Sequence, residues 1–245
     1  MTGRQTPQPM IERFDRWSRL EHLAGMLVFT ALVVSGLPQR WPEQRWAQLT
    51  AAALGGIESM RWIHRGMGLA FTGLVLLHFG VATARLLRRS VDLAIVPTRK
   101  DMTDAVVALK HQLGLSDEQP RYDRFDYKQK FEYWGLVLGG LIMITTGFIL
   151  LFPSWATWTL PGQFVPMAKV AHGNEAMMAF LVILFWHIYN AHLAPEVFPF
   201  DRSMYDGRIS RERMEHEHPL ELARIDAQAG AVASAPSPAT REPAP

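Results

Sequence analysis

Apolar residues of this 245-residue chain collect in four long blocks, and charged residues collect between the blocks. The blocks lie at residues 23–39, 66–84, 135–168 and 176–195, and none of them contains Asp, Glu, Lys or Arg. A bilayer core about 30 Å thick requires about 20 apolar residues of helix, so the last three blocks are long enough to span it. The first block is short, but Trp17 and Trp41 flank it at interfacial positions.

The pattern therefore predicts an all-α membrane protein, a four-transmembrane-helix bundle with spans at about residues 20–40, 63–87, 131–153 and 171–194. The polar connection between the second and third spans predicts a short surface helix that Asp101 or Thr103 caps. Residues 1–10 and the tail at 226–245, which is rich in Ala, Pro and Ser, are predicted to be disordered. The membrane domain then covers residues 11–225.

Lysine and arginine are distributed unequally between the two sides of the predicted bundle. They are abundant in the N-terminal segment, in the connection between spans two and three, and in the C-terminal segment. The connection between spans three and four carries only Lys169. Because cytoplasmic loops carry an excess of Lys and Arg, we expect both termini in the cytoplasm.

Composition excludes several classes of site. The chain has no cysteine, so it holds no disulfide, no thiolate-bound iron–sulfur cluster and no c-type haem attached through Cys-x-x-Cys-His. A bound metal would have to be held by His, Met or carboxylates. The net charge of +2 does not indicate nucleic-acid binding, because the basic residues lie beside the membrane blocks.

The histidines carry the candidate chemistry. Three of the nine, His111, His216 and His218, fall in polar segments and are predicted to be solvated. The other six lie in or beside the spans: His22, His64, His78, His172, His187 and His192. Ionisable residues at membrane depth are rare and usually functional, although a single one can merely hydrogen-bond a neighbouring helix.

Their spacing indicates two centres at two membrane depths. His64 and His78 are separated by about 21 Å along a helix, and His172 and His187 by about 22 Å. Facing imidazoles at two depths suit two b haems, since haem needs only axial ligands from the protein. Zinc would require four ligands clustered at one depth. Spacing alone pairs His78 with His187, while His22 lies at the same edge.

Several segments resemble a known family. They are "RFDRWSRLEHLAGMLVFTALVVSGLP", "IHRGMGLAFTGLVLLH", "RFDYKQKFEYW", "TTGFILLFP" and "AHGNEAMMAFLVILFWHIYNAHLAPEVFPFD", followed by "GRISRERMEHEHP". From about Arg13 to Arg224 the chain resembles the cytochrome b (gamma) subunit of membrane-bound formate dehydrogenases. That subunit lies within the wider bacterial cytochrome b561 and nickel–iron hydrogenase cytochrome b group.

The resemblance implies two b haems with bis-His ligation. His64 and His172 would hold the periplasmic-side haem, and His187 and His22 the cytoplasmic-side haem. His78 remains the alternative axial ligand, or else a hydrogen-bond partner near that haem. Two further sets follow from the resemblance: Arg65, Lys169, Arg16 and Arg19 are candidate partners of haem propionates, and Asp126, Tyr127 and Lys128 are candidate contacts of a menaquinone or ubiquinone.

The predicted function is a multi-pass subunit of the bacterial inner membrane that passes electrons between a periplasmic iron–sulfur or multihaem partner and the quinone pool. The partner would be formate-dehydrogenase-like or a related oxidoreductase, and this subunit would not act on the primary substrate by itself. The alternative is a structural anchor or a transporter-like bundle without a redox cofactor. A transporter would place carboxylates inside its spans, and the sequence pattern predicts none deep in the membrane.

Overall fold

A computed structural model describes residues 9–88, 93–195 and 197–233. Ten α-helices and two short strands lie within these ranges. In chain order they are β1 (Met10–Glu12), α1 (Arg16–Arg40), α2 (Arg45–Ala53), α3 (Ile57–Leu87), α4 (Arg99–Gln112), α5 (Tyr127–Leu151), α6 (Pro153–Thr159), α7 (Phe164–Leu181), α8 (Ser203–Asp206), β2 (Arg208–Ser210), α9 (Arg211–Glu217) and α10 (Pro219–Ala233). A 3₁₀ turn at Leu93–Ile95 precedes α4.

Four helical segments are long and apolar enough to cross a membrane: Arg16–Arg40, Ile57–Leu87, Tyr127–Leu151 and Phe164–Leu193. The predicted all-α, four-span architecture is thus confirmed. Each span begins four to seven residues before the predicted position, because the helix continues through the flanking polar residues. Leucines on their outer surfaces are largely exposed, as lipid-facing side chains would be; Leu76 is 67% exposed and Leu138 is 61% exposed.

The last span is not a uniform α-helix. Beyond Leu181 it continues as two π-helical segments, Val182–His187 and Tyr189–Leu193. A π-helix bonds residue i to residue i+5, so each residue turns by less than in an α-helix. Straight α-helical geometry places His187 about 60° away from the face of His172. The wider turns bring His187 back towards that face.

The chain divides into two compact units, where the sequence suggested one membrane domain over residues 11–225. The larger unit comprises residues 12–88, 131–195 and 197–208 and contains α1, α3, α7 and the part of α5 from Phe131 onward. Within it α1 packs most extensively against α3 and also contacts α2 and α7.

The smaller unit comprises residues 9–11, 93–130 and 209–233. Strands β1 and β2 pair there, and Ile209, Met214 and Leu222 form a small core against Ile11 and Ile225. His218, expected at the surface, is 4% exposed, and its Nδ1 donates to the carbonyl of Asp123 at 2.7 Å. The sequence suggested solvation because its neighbours are polar, but the fold returns this segment to residues 122–124.

Two further details differ from the predictions. The surface helix α4 is capped by Thr98, and Asp101 is the third helical residue of a reciprocal capping box rather than the cap. Helix α10 continues to Ala233, eight residues into the tail predicted to be disordered, because its Ala-rich sequence has high helix propensity. Residues 1–8 and 234–245, also predicted to be disordered, lie outside the described residues.

Candidate functional site

Two histidines face each other near the end of the larger unit where α1 finishes and α3 begins. His64 is the eighth residue of α3 and His172 the ninth residue of α7. Their ring centres are 6.3 Å apart and their planes are nearly perpendicular, at 84°. Gly36 of α1 leaves room for the ring of His64, because a Cβ there would lie 2.8 Å from Cε1 of His64.

A hydroxyl from a neighbouring span orients each ring. Ser35 and Thr146 each donate their only hydroxyl proton to the carbonyl four residues earlier in their own helix, at 2.6 Å. They can therefore only accept from Nδ1 of His64, at 3.1 Å, and of His172, at 2.9 Å. Nδ1 carries the proton in both rings, so Nε2 keeps its lone pair and is available to a metal.

A second pair lies towards the other end of the larger unit. The ring centres of His22 on α1 and His187 at the end of the first π-helical segment are 6.1 Å apart, with 41° between the planes. Nδ1 of His187 donates to Oε2 of Glu132 at 2.9 Å. Glu132 has its second oxygen, Oε1, buried without a partner among the described residues. A carboxylate on Nδ1 again leaves Nε2 available and makes the imidazole a stronger ligand.

The spacing of both pairs fits a metal held between two imidazoles. A metal–imidazole bond is about 2 Å and the bonding nitrogen lies about 1.1 Å from its ring centre, so such a metal separates the ring centres by about 6 Å. Among the described residues, no group of three or more His, Cys, Asp or Glu is placed to hold a bare metal ion. Two-ligand sites of this kind suit haem, because the macrocycle supplies the remaining ligands.

His78 has a different environment. Its Nδ1 lies 3.3 Å from Oε2 of Glu21 and its Nε2 lies 3.0 Å from the hydroxyl of Tyr133. The carboxylate can only accept, so Nδ1 donates to Glu21 and Nε2 accepts from Tyr133. Both ring nitrogens are thus engaged. The structure brings His187 together with His22 and not with His78.

Three carboxylates lie beyond the first turn of the membrane-crossing helices, contrary to the expectation that none lies deep. Glu21 and Glu132 are each the sixth residue of their helices, and Glu175 is the twelfth residue of α7. A Cβ at Gly139, the central residue of α5, would collide with Oε1 of Glu175. The sequence pattern missed this depth because the charge-free block begins immediately after Glu175.

The four cations predicted beside haem propionates are scattered. Arg65 lies over the ring of Trp62, 5.5 Å from its centre. Lys169 and Arg16 are exposed, and Arg19 donates to the carbonyl of Tyr205 at 2.6 Å.

Arg40 lies beside the residues that follow His172, although no assignment from the sequence placed it there. Its Nη2 donates to Oδ1 of Asn174 at 3.0 Å, and a Cβ at Gly173, the neighbour of His172, would lie 2.9 Å from its Nη1. Sequence analysis counted Arg40 as a loop charge. Its position directly after the first apolar block was the only feature of the sequence that could have indicated a place beside this histidine pair.

The residues predicted to contact quinone lie at the start of α5, in the smaller unit. Asp126 caps this helix: its Oδ1 accepts from the backbone N–H of Gln129 at 2.7 Å. Lys128 lies 3.9 Å from Asp126, and the ring of Tyr127 packs against Tyr122. Burial raises the pKa of Tyr122, and the nearby Asp126 adds to that effect.

Comparison with known proteins yields one family. The family model described as prokaryotic cytochrome b561 matches residues 13–198, well over half of the chain. A search of curated proteins finds no match. The matched range contains both histidine pairs, His78, and the carboxylates Glu21, Glu132 and Glu175.

Proposed function

Because the chain belongs to the prokaryotic cytochrome b561 family, we propose that it passes electrons between a periplasmic redox partner and the quinone pool. The family and the four apolar helices make it a multi-pass membrane protein of the b-type haem electron-transfer class. We further propose that it lies in the bacterial inner membrane.

The observation that carries the proposal is the pair of facing imidazoles at each of two membrane depths. His64 and His172 would hold one b haem, and His22 and His187 a second. A haem bound by two histidines supplies a one-electron centre with no open position on the iron, which favours electron transfer over substrate chemistry. Ser35, Thr146 and Glu132 keep the three rings they contact in the tautomer that leaves Nε2 available.

Further residues complete the proposed site. Arg40 beside His172 is the cation we expect near the propionates of the first haem, and Arg65, Lys169, Arg16 and Arg19 remain candidates. Asp126, Tyr127 and Lys128 at the start of α5 would bind the oxygens of menaquinone or ubiquinone and exchange their protons. The excess of Lys and Arg in the terminal segments favours both termini in the cytoplasm.

Electrons would then enter or leave at the periplasmic end through an iron–sulfur or multihaem subunit of a formate-dehydrogenase-like or related oxidoreductase. The short periplasmic connections carry no cysteine, so this redox centre belongs to the partner. The similarity between segments such as "AHGNEAMMAFLVILFWHIYNAHLAPEVFPFD" and the formate dehydrogenase gamma subunit supports this choice of partner.

Haem content tests the proposal. The pyridine haemochrome assay on purified protein should give about two non-covalent haems per chain, as expected for two bis-His sites. A folded preparation that lacks haem after expression with adequate haem supply would overturn the proposal and favour an anchor without a cofactor.

A further inference from the structure

Helix α4 turns its charged face inwards and its apolar face outwards. Met102, Val106, Leu109 and Leu113, the residue after its last turn, are 72%, 49%, 55% and 63% exposed. At 100° per residue these four side chains lie within an arc of about 60°, so they form one stripe. On the opposite side, Asp104 is 8% exposed.

The charges on the inner face are satisfied within the smaller unit. Lys100 contacts Asp104 and donates to the carbonyl of Arg121 at 2.7 Å. Lys130 donates to both carboxylate oxygens of Asp101, at 2.8 and 2.9 Å. A helix in water buries its apolar stripe, so the orientation of α4 requires a medium that covers the stripe.

We propose that the exposed stripe of α4 lies in the interfacial layer of the membrane. Lys130, which holds Asp101, is the fourth residue of membrane-crossing helix α5, so α4 is attached where that helix begins. The exposed cations Arg99 and Lys110 flank the stripe, and neither forms an ion pair within the described ranges. Apolar side chains bordered by Lys and Arg are the pattern of a helix that binds a surface containing anionic lipid.

The chain contains no cysteine, so a single introduced cysteine can be labelled specifically to test the position of the stripe. Single cysteines at Met102, Val106 and Leu109, and a control at exposed Asp117, would carry a nitroxide spin label in the full-length protein. The protein would be reconstituted into vesicles of phosphatidylcholine with anionic phosphatidylglycerol. Collision rates with oxygen, which concentrates in the bilayer, and with a water-soluble nickel chelate would then be compared.

For labels at the three stripe positions, the ratio of the collision rate with oxygen to that with the nickel chelate should be at least about threefold higher than for the label at Asp117. The reason is that the apolar face of such a helix is buried in the interface. In the double variant Arg99→Gln, Lys110→Gln this preference should fall. Equal accessibility at all four positions would overturn the proposal. Protection that appears only when a co-purified partner subunit is present would also overturn it and assign the stripe to a protein.

A different observation supports a second inference, at the centre of α5. Gly139 lies seven residues from Glu132 and seven from Thr146, about 10 Å along the helix from each. The carboxylate of Glu175 lies against Gly139, and the ring of Phe71 approaches the next residue, where a Cβ at Gly140 would lie 3.4 Å from its Cζ. Glu175 therefore reaches the level midway between the two histidine pairs.

The geometry points to Glu175 as a residue that lowers the reduction potential of the haems. This inference rests on the proposed function. Among the described residues no cation forms an ion pair with Glu175. An ionised carboxylate at this position would stabilise the oxidised, more positive state of a neighbouring haem, because charges interact strongly in a medium of low dielectric.

Redox titration of Glu175→Gln tests this role with an isosteric neutral side chain, and Glu58→Gln, at an exposed carboxylate, is the control. Both haems should remain bound, and the potential of at least one should rise by about 59 mV, a tenfold change in the one-electron equilibrium. Unchanged potentials in a variant with both haems would overturn this inference alone. A wild-type protein without haem would overturn the proposed function instead.

Discussion

Nδ1 of His187 lies 2.9 Å from Oε2 of Glu132, while His22 faces the same imidazole with 6.1 Å between ring centres. The carboxylate fixes the proton on Nδ1 and directs Nε2 away from α5. His64 and His172 obtain the same orientation from the hydroxyls of Ser35 and Thr146. An acceptor on a neighbouring helix therefore fixes the Nδ1 proton at both depths. The acceptor is a carboxylate for His187 and a neutral hydroxyl for His64 and His172.

Alanine substitutions at the facing histidines should remove the haems selectively. His64→Ala or His172→Ala should lose one haem and keep the other, and His187→Ala should lose the other, because each variant would lack one of the two histidines that would hold that haem. Haem content and low-temperature absorption spectra of the purified variants measure this. Two haems with unchanged spectra in all three variants would contradict the pairing.

His22 and His78 are distinguished by their hydrogen bonds. We expect His22→Ala to lose the haem shared with His187, and His78→Ala to keep it, since both nitrogens of His78 are engaged by Glu21 and Tyr133. His78→Ala should only shift the potential of that haem through its surroundings. Loss of a haem in His78→Ala but not in His22→Ala would show that His78 is the ligand paired with His187, as helical spacing alone predicts.

The orienting hydroxyls should matter for haem affinity. Ser35→Ala and Thr146→Ala each remove the acceptor of an Nδ1 proton, and loss of such a partner weakens metal binding by about 10- to 100-fold. Thr72→Ala is the matched control, because its hydroxyl also donates to a carbonyl of its own helix but contacts no histidine. Haem dissociation measured by transfer to apomyoglobin should accelerate in the first two variants and stay at the wild-type rate in the third.

Quinone exchange should depend on the start of α5. Asp126→Asn removes the charge but keeps an oxygen that can cap the helix, and Lys128→Gln removes the cation. Both variants should keep two haems, yet exchange electrons with a quinone analogue at least about tenfold more slowly, which corresponds to about 1.4 kcal/mol of barrier. Stopped-flow absorbance measures the rate, with exposed Glu118→Gln as the control. Wild-type rates in both variants would place quinone elsewhere.

The Asp101–Lys130 pair should make stability depend on pH. Burial opposes ionisation of Asp101, but hydrogen bonds from Lys130 and Thr98 outweigh it and hold the pKa of Asp101 below its usual value. A carboxyl with a lowered pKa in the folded protein contributes stability above its unfolded pKa of about 3.9, and that contribution is lost as pH falls through the folded pKa.

Asp101→Asn should therefore lower the free energy of unfolding by about 2 kcal/mol at pH 7, because it breaks a charge-assisted hydrogen bond. The difference from wild type should shrink as the pH falls below about 4. Thermal unfolding in detergent at both pH values measures it, and Asp117→Asn, in an exposed loop, is the control. A difference between wild type and Asp101→Asn that persists unchanged at low pH would contradict the assigned ion pair.

The sequence by itself determined the number of spans and the residues able to bind a metal in the membrane. Four charge-free blocks each need a helix to satisfy their backbone in lipid, and six histidines in or beside those helices are too costly to be incidental. The spacing of His64 from His78, and of His172 from His187, was enough to expect two depths. Local polarity also led to errors, since it assigned His218 to the surface and disorder to residues 226–233.

Only the tertiary structure decided which histidines face each other. Spacing alone pairs His187 with His78, but the structure places the ring of His22 opposite His187. Glu21 and Tyr133 engage both ring nitrogens of His78. The acceptors Ser35, Thr146 and Glu132 lie on other helices than their histidines, so sequence spacing holds no information about them. The position of Glu175 likewise follows from packing, because Gly139 of α5 leaves room for its carboxylate. The outward direction of the apolar stripe of α4 follows from the ion pair between Asp101 and Lys130 on the other side of the helix.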